Sequence, residues 1–393
     1  MVSGGPQGYP ITARAVCNAL GMTTGEVLAR LRAGASGLGA SPLELPFGTV
    51  VGALPEPVPR LPSALSEYDT RLARIAGLLA GELCGPVRRA VEAWGAARVA
   101  VVVASSTGGI AATEEALAVR AQTGRLPAGY SFERQHALGA VLGVLRALTG
   151  ARGPSYVVST ACSSGNKVWG AALRLMHAGF ADAVLVGGMD TLCQMTLRGF
   201  HSLGILSEQP CRPFGHGRDG VSIGEGGALL LLERRGEGLA RLLGVGETSD
   251  AHHMTQPHPD GDGACRAMEL ALAAAELGAG DIDHINAHGT GTPMNDASEA
   301  LAITRLFGPG VLVASTKGYT GHVLGAAASI EAVFAIDAIE RGLVPASLGA
   351  EPRDQAIGLN LAQQPTPQRC RHVLSNAFAF GGNNAAVVFG RPS

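Results

Sequence analysis

One cysteine of this chain has the sequence surroundings expected of a nucleophile. Cys162 follows the apolar run Tyr156–Val158 and a few small residues, and a helical stretch begins directly after it. The free N–H groups and the dipole at the start of a helix stabilise negative charge, so this position favours a reactive thiolate. Free cysteines are also often inert core residues, and Cys162 taken alone leaves both interpretations open.

Two histidines follow predicted strands in the second half of the chain. His288 opens a glycine- and threonine-rich loop, in which the hydroxyls of Thr290 and Thr292 could bind an amide-bearing substrate arm. His322 follows another strand, and Lys317 lies five residues before it. Each motif alone could also be an ordinary turn, in which the histidine serves as a cap.

A glycine-rich loop, residues 375–384, precedes the last predicted strand, and its backbone N–H groups could form an anion-binding nest or simply a turn. A cysteine, two histidines and a lysine thus all follow the carboxyl ends of predicted strands. α/β folds place their active sites at these strand ends. The four side chains together therefore predict one buried catalytic site, although each motif alone is weak.

Short apolar strands alternate with helices, which predicts an α/β protein with largely parallel sheets covered by helices on both faces. The predicted strands are 98–104, 156–158, 183–188, 282–287, 311–314 and 385–389. One predicted helix begins near residue 113, and others cover 163–178, 267–277 and 326–340. The unit at 159–178 has an echo at 314–340, which suggests a duplication with a boundary near 234–246.

Composition argues against several functional classes. The 393 residues are 46% hydrophobic and 16% charged, and the net charge of -2 argues against a nucleic-acid-binding protein. No apolar run reaches the ~18 residues that a membrane span requires, and the N-terminus lacks the pattern of a signal peptide. The seven scattered cysteines disfavour a disulfide framework and a zinc site, and they favour a reducing cytoplasm.

Together these segments resemble the β-ketoacyl-acyl carrier protein synthases of the thiolase-like superfamily, in particular the elongating type I/II class. The resemblance begins at about residue 10 and includes four further motifs: Arg212-Pro213-Phe214, Arg218-Asp219-Gly220, Gly224-Glu225-Gly226 and Ser249–Thr255. The motifs Thr316–His322 and Ala379–Asn384 are together most similar to the bacterial synthases of aryl-polyene pigment pathways.

This resemblance implies a thiolase-like fold in which two duplicated αβαβα halves form a five-layered core. Residues 1–240 would carry the nucleophile, and residues 241–393 would carry both histidines and the glycine-rich loop. The implied reaction is a decarboxylative Claisen condensation in fatty-acid, polyene or polyketide elongation. Cys162 would hold the acyl chain as a thioester, while His288 and His322 would hydrogen-bond the malonyl thioester carbonyl and stabilise the enolate.

Supporting roles follow from the same resemblance. Lys317 would balance charge and orient the two histidines, with Glu331 as its structural partner. The backbone N–H groups of Cys162 and Phe380 would form an oxyanion hole, and the Phe380 side chain would gate the pocket.

The resemblance also implies the partners. The substrates would be carried on the 4′-phosphopantetheine arm of an acyl carrier protein, and Thr290 and Thr292 would bind that arm. The enzyme itself would need no cofactor and no metal, and it would pair with an identical or a related ketosynthase-like subunit. Carrier proteins are usually acidic, so Arg71 and Arg74, on a helix predicted to be exposed, either contact them or belong to an ordinary solvated face.

The chain departs from the family pattern at two places, and other functions compete with the main one. Residues 11–17 replace the usual glycine-rich first strand, which puts an edge strand there in doubt, and Asn383 stands where threonine is commoner. A non-catalytic partner subunit of the chain-length-factor kind is the main alternative, but such subunits typically lack the cysteine. A CoA-dependent thiolase would need a second cysteine in a glycine-rich motif, which Cys370 does not provide. Nothing in the sequence indicates the activated water of a cysteine hydrolase.

Overall fold

The computed structural model describes residues 1–3 and 8–392. The strands that begin before residue 240 are β1 (Val2–Ser3), β2 (Tyr9–Cys17), β3 (Gly39–Ala40), β4 (Val50–Val51), β5 (Val99–Ala104), β6 (Ser155–Val158), β7 (Ala183–Asp190) and β8 (Gly226–Glu233). The later strands are β9 (Ala240–Ser249), β10 (His284–Asn286), β11 (Leu312–Ala314), β12 (Leu343–Val344), β13 (Asn360–Leu361), β14 (Thr366–Pro367), β15 (His372–Phe378) and β16 (Asn383–Gly390).

Helices separate most of these strands. They are α1 (Thr24–Arg32), α2 (Arg71–Glu82), α3 (Cys84–Trp94), α4 (Ile110–Thr123), α5 (Ala140–Thr149), α6 (Ser164–His177), α7 (Gln194–Ser202), α8 (Asp262–Ala274), α9 (Pro293–Phe307), α10 (Lys317–Thr320) and α11 (Ala327–Arg341). None of the helices in the described part of the chain has the length and apolar composition of a membrane-spanning segment. The predicted helices and strands all occur, with ends that differ by a few residues.

One large sheet contains the same arrangement of five strands twice. The first set lies in the order β6-β5-β7-β8-β2, and the second lies in the order β11-β10-β15-β16-β9. In each set the first three strands are parallel, and the last two are antiparallel to their neighbours. The repeated order and directions support the predicted duplication, whereas the division of the chain at residue 240 stays a prediction.

The sheet differs from the sequence-based expectation in two ways. First, only three neighbouring strands of each set are parallel to one another, whereas largely parallel sheets were expected. The sequence could not show this, because a fully buried strand has no residue pattern that reveals its direction. The segment that replaces the glycine-rich first strand forms β2, which is not an edge strand. It pairs with β8 along most of its length and with β9 at Tyr9–Ile11, so it joins the two sets.

The helices and the two sets of strands form five layers. Along β5, Val99, Val101 and Val103 pack in the outer core with α2, α3 and α5. The intervening residues, such as Val102, pack in the central core that contains α6 and α11. α8 and α9 cover the outer face of the second set, while α6 and α11 contact each other and strands of both sets. The two central helices are therefore the layer that both halves share.

An ion-pair cluster fixes α11 to the first half of the chain. Asp337 of α11 is buried, and its Oδ2 accepts a hydrogen bond of 2.9 Å from Nε of Arg32 in α1. Arg14 of β2 lies 3.6 Å from the same carboxylate and also pairs with Glu340. A buried carboxylate with two cationic partners is costly to disturb, because removing it leaves charges without compensation.

Replacing Asp337 with alanine is expected to lower the free energy of unfolding by about 3 kcal/mol, because Arg14 and Arg32 would lose their shared partner. Denaturant unfolding at neutral pH measures this loss. The control is Glu92→Ala, since the Glu92 side chain is 68% exposed and its ion pair with Arg88 is long, at 3.9 Å. The control should cost less than about 0.5 kcal/mol, and equally small losses in both variants would contradict the prediction.

Candidate active site

A tight turn between β6 and α6 presents Cys162. Ala161 has a φ of 51°, in the left-handed region that residues other than glycine rarely adopt. The strained turn places Cys162 directly before the first turn of α6, where Ser164 donates its hydroxyl to the Ala161 carbonyl. Cys162 is only 8% exposed. The sequence prediction of a cysteine at a strand-to-helix junction is confirmed.

Three reactive side chains from both halves of the chain meet at this turn. Nε2 of His322 lies 2.9 Å from Sγ of Cys162. The rings of His288 and His322 are 5.4 Å apart and nearly perpendicular. One ligand-type atom from each of the three residues lies within 4.8 Å of the other two. A single thioester can therefore contact all three groups.

Lys317 lies behind the histidines, fully buried. Its Nζ lies 2.6 Å from Oε1 of Glu331, donates to the backbone carbonyl of His288, and lies 3.4 Å from Nδ1 of the same histidine. An ammonium only donates hydrogen bonds, so Nδ1 of His288 accepts and the ring proton is on Nε2. The expected contact between Lys317 and Glu331 is present. The ammonium that Glu331 holds in place sets the tautomer of His288.

Burial decides the protonation state of the sulfur. It raises the pKa of Cys162 to about 12, and the nearby charge of Lys317 offsets only part of this rise. Burial therefore favours the thiol at neutral pH, which opposes the effect expected from the start of the helix. Because Nε2 of His322 is the nitrogen in contact with the sulfur, it is the group placed to accept the proton when the sulfur attacks.

Burial also keeps both histidines neutral. It lowers the pKa of His288 and of His322 well below the ordinary histidine value, and the charge of Lys317 acts in the same direction. A neutral imidazole can donate one hydrogen bond without being a strong acid. The pair is thus suited to stabilise a negative oxygen by hydrogen bonding rather than by transferring a proton to it.

Two buried carboxylates that the sequence analysis missed hold the loops of the site. The carboxylate of Glu299 in α9 accepts hydrogen bonds of 2.8 Å from the backbone N–H groups of His288 and Gly289. Asp190, at the end of β7, accepts a bond of 3.1 Å from the backbone N–H of Ala326 at the start of α11. An acidic residue that directly follows an apolar strand, or sits on the buried face of a helix, is the sequence signal that could have indicated them.

A cavity of about 340 Å³ opens in front of the sulfur. Its walls are mainly apolar and include Phe200, Leu203, Ile205, Val221, Met294 and Phe378. Thr290 and Thr292 also line it, with their hydroxyls 2.9 Å apart, and so does Phe380, whose ring stacks on Phe200 at 5.9 Å. All predicted site residues therefore either line this cavity or, like Lys317 and Glu331, lie directly behind it. Their individual roles remain predictions.

The two arginines considered for carrier-protein contact already have partners within the protein. Arg71 donates to both oxygens of the buried Glu225, and Arg74 forms two hydrogen bonds with Asp69. α2 packs most of its side chains into the core. The helix is therefore half-buried rather than exposed, while the side chains of Arg71 and Arg74 are still 39% and 28% exposed, and their contact with a carrier protein stays a prediction.

The thiol and the two imidazoles also form a set of possible metal ligands. Soft sulfur and imidazole ligands suit zinc or copper. The ammonium of Lys317, 3.4 Å from Nδ1 of His288, opposes the binding of a second cation at this point. The residues therefore fit nucleophilic chemistry better than a metal centre.

Comparison with known proteins identifies the family. Residues 88–237 match the β-ketoacyl synthase N-terminal domain, and residues 239–351 match the β-ketoacyl synthase C-terminal domain. The chain belongs to the β-ketoacyl synthase family. A 3-oxoacyl-[acyl-carrier-protein] synthase 2 from Vibrio cholerae is 32% identical over 316 residues, which cover 75% of this chain and 76% of that protein.

Other relatives match a shorter region or the whole fold. A 3-oxoacyl-[acyl-carrier-protein] synthase 2 from Staphylococcus aureus is 37% identical over 257 residues, 61% of this chain, and the match spans 62% of that protein's length. A structure of a ketosynthase in complex with its chain length factor from Xenorhabdus doucetiae superposes with a TM-score of 0.92 and 36% identity, covering 98% of both chains. A β-ketoacyl synthase from Burkholderia phymatum has a TM-score of 0.90 and 28% identity, covering 98% of this chain and 100% of that one.

The rate at which iodoacetamide alkylates Cys162 is expected to rise about tenfold per pH unit between about pH 7 and about pH 9. The thiolate fraction still increases across this range because the pKa of the thiol is about 12. Intact-mass measurements in a Cys84→Ala background follow the reaction, since Cys84 is the exposed one among the seven cysteines, all of which are described. A plateau below about pH 8 would instead indicate a resting thiolate.

Proposed function

We propose that this protein is a β-ketoacyl-acyl carrier protein synthase, which joins an acyl group on Cys162 to the carbanion formed by decarboxylating a carrier-bound malonyl group. The observation that carries the proposal is the 2.9 Å contact between Sγ of Cys162 and Nε2 of His322, with His288 beside it in the same cavity. A nucleophile in contact with an imidazole that can take its proton, beside a second imidazole that donates a hydrogen bond, is what the two halves of this reaction require.

The first half-reaction is acyl transfer. The sulfur of Cys162 attacks the carbonyl carbon of the acyl thioester, and its proton passes to Nε2 of His322. The tetrahedral intermediate then releases the pantetheine sulfur, which takes that proton and leaves as a thiol. The predicted oxyanion hole, formed by the backbone N–H groups of Cys162 and Phe380, would stabilise the negative oxygen during this step.

The second half-reaction forms the carbon–carbon bond. The malonyl carboxylate leaves as CO2, and the electron pair it releases becomes an enolate on the thioester. Nε2–H of His288 donates to the enolate oxygen, and His322 can donate as well once its ring proton has moved from Nδ1 to Nε2, because the acylated sulfur no longer holds a hydrogen for Nε2 to accept. The carbanion attacks the acyl carbonyl, and the Cys162 sulfur departs as a thiolate and takes up one proton from solvent. The product is the β-ketoacyl thioester.

The carrier arm is proposed to enter past Thr290 and Thr292, which line the cavity together with polar residues such as Asn295. The substrates then arrive on 4′-phosphopantetheine, and the enzyme contributes no cofactor of its own. The proposal includes a cytoplasmic location, where a reducing environment keeps Cys162 as a thiol. Products of fatty-acid, polyketide or aryl-polyene type would all use the same chemistry.

The alternative function, a non-catalytic partner subunit, explains the site less well. Such a subunit needs neither a sulfur in contact with a histidine nor a buried lysine that sets the tautomer of a second histidine. A thiolase would need another cysteine at the site, and Cys370 lies outside the cavity lining. The synthase is therefore the function that the geometry favours.

A second subunit is proposed to bind at the end of the sheet formed by β6. β6 ends the strand order of the first set, and its four residues are half-buried. The segment between β5 and β6 exposes four large apolar side chains: Leu117, Val119, Leu126 and Phe132. An open strand edge and a chain segment with several exposed apolar side chains are each typical of a protein contact. The ketosynthase from Xenorhabdus doucetiae likewise forms a complex with a second subunit, its chain length factor.

Replacing His288 with alanine is expected to leave acylation of Cys162 within a few fold of the unmodified enzyme, while condensation falls by about 100-fold or more, because the enolate loses a donor. Cys162→Ala should abolish acylation and keep malonyl decarboxylation. Intact-mass analysis with acyl carrier proteins measures acylation, and product analysis measures condensation. The control His177→Ala changes an exposed histidine at the end of α6 and should retain both activities. Normal condensation by His288→Ala would remove that residue from the mechanism.

Replacing Phe132 with aspartate is expected to weaken subunit association at least about tenfold, because a charge would have to be buried in the apolar contact. Analytical ultracentrifugation of the protein, alone or with a co-expressed related subunit, measures the effect. The control is Phe180→Asp, since Phe180 is 61% exposed but lies after α6, outside the proposed contact. If both variants associate like the unmodified protein, the contact lies elsewhere.

A further inference from the structure

Apart from the stacking of Phe380 on Phe200 and the pairing of Asn383 with Ser249 of β9, the loop Phe380–Asn383 has few fixed points. Gly381 and Gly382 have φ values of 76° and 72°, so two consecutive residues adopt the left-handed conformation. Two backbone bonds tie the loop to a neighbouring segment: Gly381 N–H donates to the Met254 carbonyl and Asp250 N–H donates to the Gly382 carbonyl. The Met254 side chain is 80% exposed, so this neighbouring segment lies at the surface. These two bonds do not connect the loop to the nucleophile.

Lys167 connects this loop to the helix that begins beside Cys162. It lies on α6 five residues after Cys162, is half-buried, and its Nζ donates a hydrogen bond of 2.7 Å to Oδ1 of Asn383. The backbone carbonyl of Asn383 accepts a bond of 2.9 Å from the N–H of Ala379, which closes the loop. The lysine therefore holds the residue at which the loop ends.

The residue before Lys167 binds the same hairpin from inside the core. Nδ2 of Asn166 donates to the carbonyls of Ser375 in β15 and Ala385 in β16, at 2.9 and 3.2 Å. Consecutive residues of α6 thus fix the two strands of the hairpin and the end of the loop that joins them. The helix that carries Cys162 is set directly against the hairpin that carries Phe380.

We propose that Lys167 is a positioning residue that fixes the distance between Cys162 and the Phe380 loop through Asn383, and thereby sets the rate of acyl transfer to the sulfur. The inference rests on the proposed function, in which the N–H groups of Cys162 and Phe380 bind the same oxygen. Such donors work only when both are held in place before the reaction. Lys167 and Lys317 are the two lysines of the sequence, and each binds a group next to the site. The other residues of the Lys/Arg type are all arginines.

A comparison of two reactions of the Cys162 sulfur distinguishes a role of Lys167 in positioning the loop from a role in folding. Acylation by an octanoyl-carrier protein requires the oxyanion hole, whereas alkylation by iodoacetamide forms no tetrahedral oxyanion and requires only the sulfur. In Lys167→Met, which keeps the apolar stem, we expect acylation to slow by about 10- to 100-fold, while alkylation stays within about twofold. Intact-mass kinetics in a Cys84→Ala background measure both rates on one preparation.

Three further variants complete the test. Lys167→Arg retains a donor and should recover most of the acylation rate. Asn383→Ala should slow acylation as much as Lys167→Met, and the double variant should be no slower than either, because both changes break one contact. Arg174→Met is the matched control: Arg174 is a cation on the same helix, two turns beyond Lys167, and pairs with Glu247 at the surface. It should leave both rates unchanged.

Each contrary outcome has a distinct meaning. Acylation of Lys167→Met at the unmodified rate would overturn the inference and leave the proposed function intact. Equal slowing of acylation and alkylation, with a lower melting temperature, would make Lys167 a residue of the core only and would also overturn it. Failure of the unmodified protein to become acylated, although iodoacetamide still reacts with Cys162, would overturn the proposed function and this inference with it.

Discussion

The site depends on the close approach of two buried helix starts, at a point where only glycine fits. A Cβ atom on Gly165 would lie 2.8 Å from the backbone nitrogen of Ser329 and 2.9 Å from the carbonyl oxygen of Gly325. Gly165 belongs to the first turn of α6, next to Cys162, and the other two residues surround the start of α11, next to His322. Because the two helices come from different sets of strands, the reactive contact exists only when both sets have folded together.

A single buried charge organises the electrostatics of this contact. The ammonium of Lys317 is fully buried, and the Glu331 carboxylate at 2.6 Å offsets much of the cost of removing that charge from water. The same ammonium fixes a hydrogen bond to Nδ1 of His288 and discourages protonation of both imidazoles. Burial and this ammonium therefore favour the neutral forms of both imidazoles at the cavity.

The sequence was sufficient to predict which side chains meet at the candidate site, because each follows a strand and parallel strands end at one edge of a sheet. Cys162, His288 and His322 could be recognised for this reason without knowledge of the packing. Properties that depend on distant parts of the chain could not be predicted. The thiol form of Cys162 results from burial by both halves, and the partner of Arg71 is Glu225, 154 residues away.

Strand direction and the helix faces that meet across the core were equally hidden from sequence analysis. β8 and β16 are buried and apolar like their parallel neighbours, so their antiparallel directions leave no trace in the residue pattern. Lys167 was noticeable only as a rare residue type, and its contact with Asn383 joins positions 216 residues apart. Composition could suggest that this lysine was unusual, and only the packing indicates what it binds.

The protonated sulfur has a consequence for the survival of the protein under oxidative stress. Peroxides react with thiolates far faster than with thiols, and the first product is a sulfenic acid that can be oxidised further and irreversibly. A sulfur that burial favours in its protonated form, in a cavity with mainly apolar walls, offers peroxide little reactive anion. The same burial that makes attack depend on a neighbouring imidazole thus protects the idle sulfur from chemical damage.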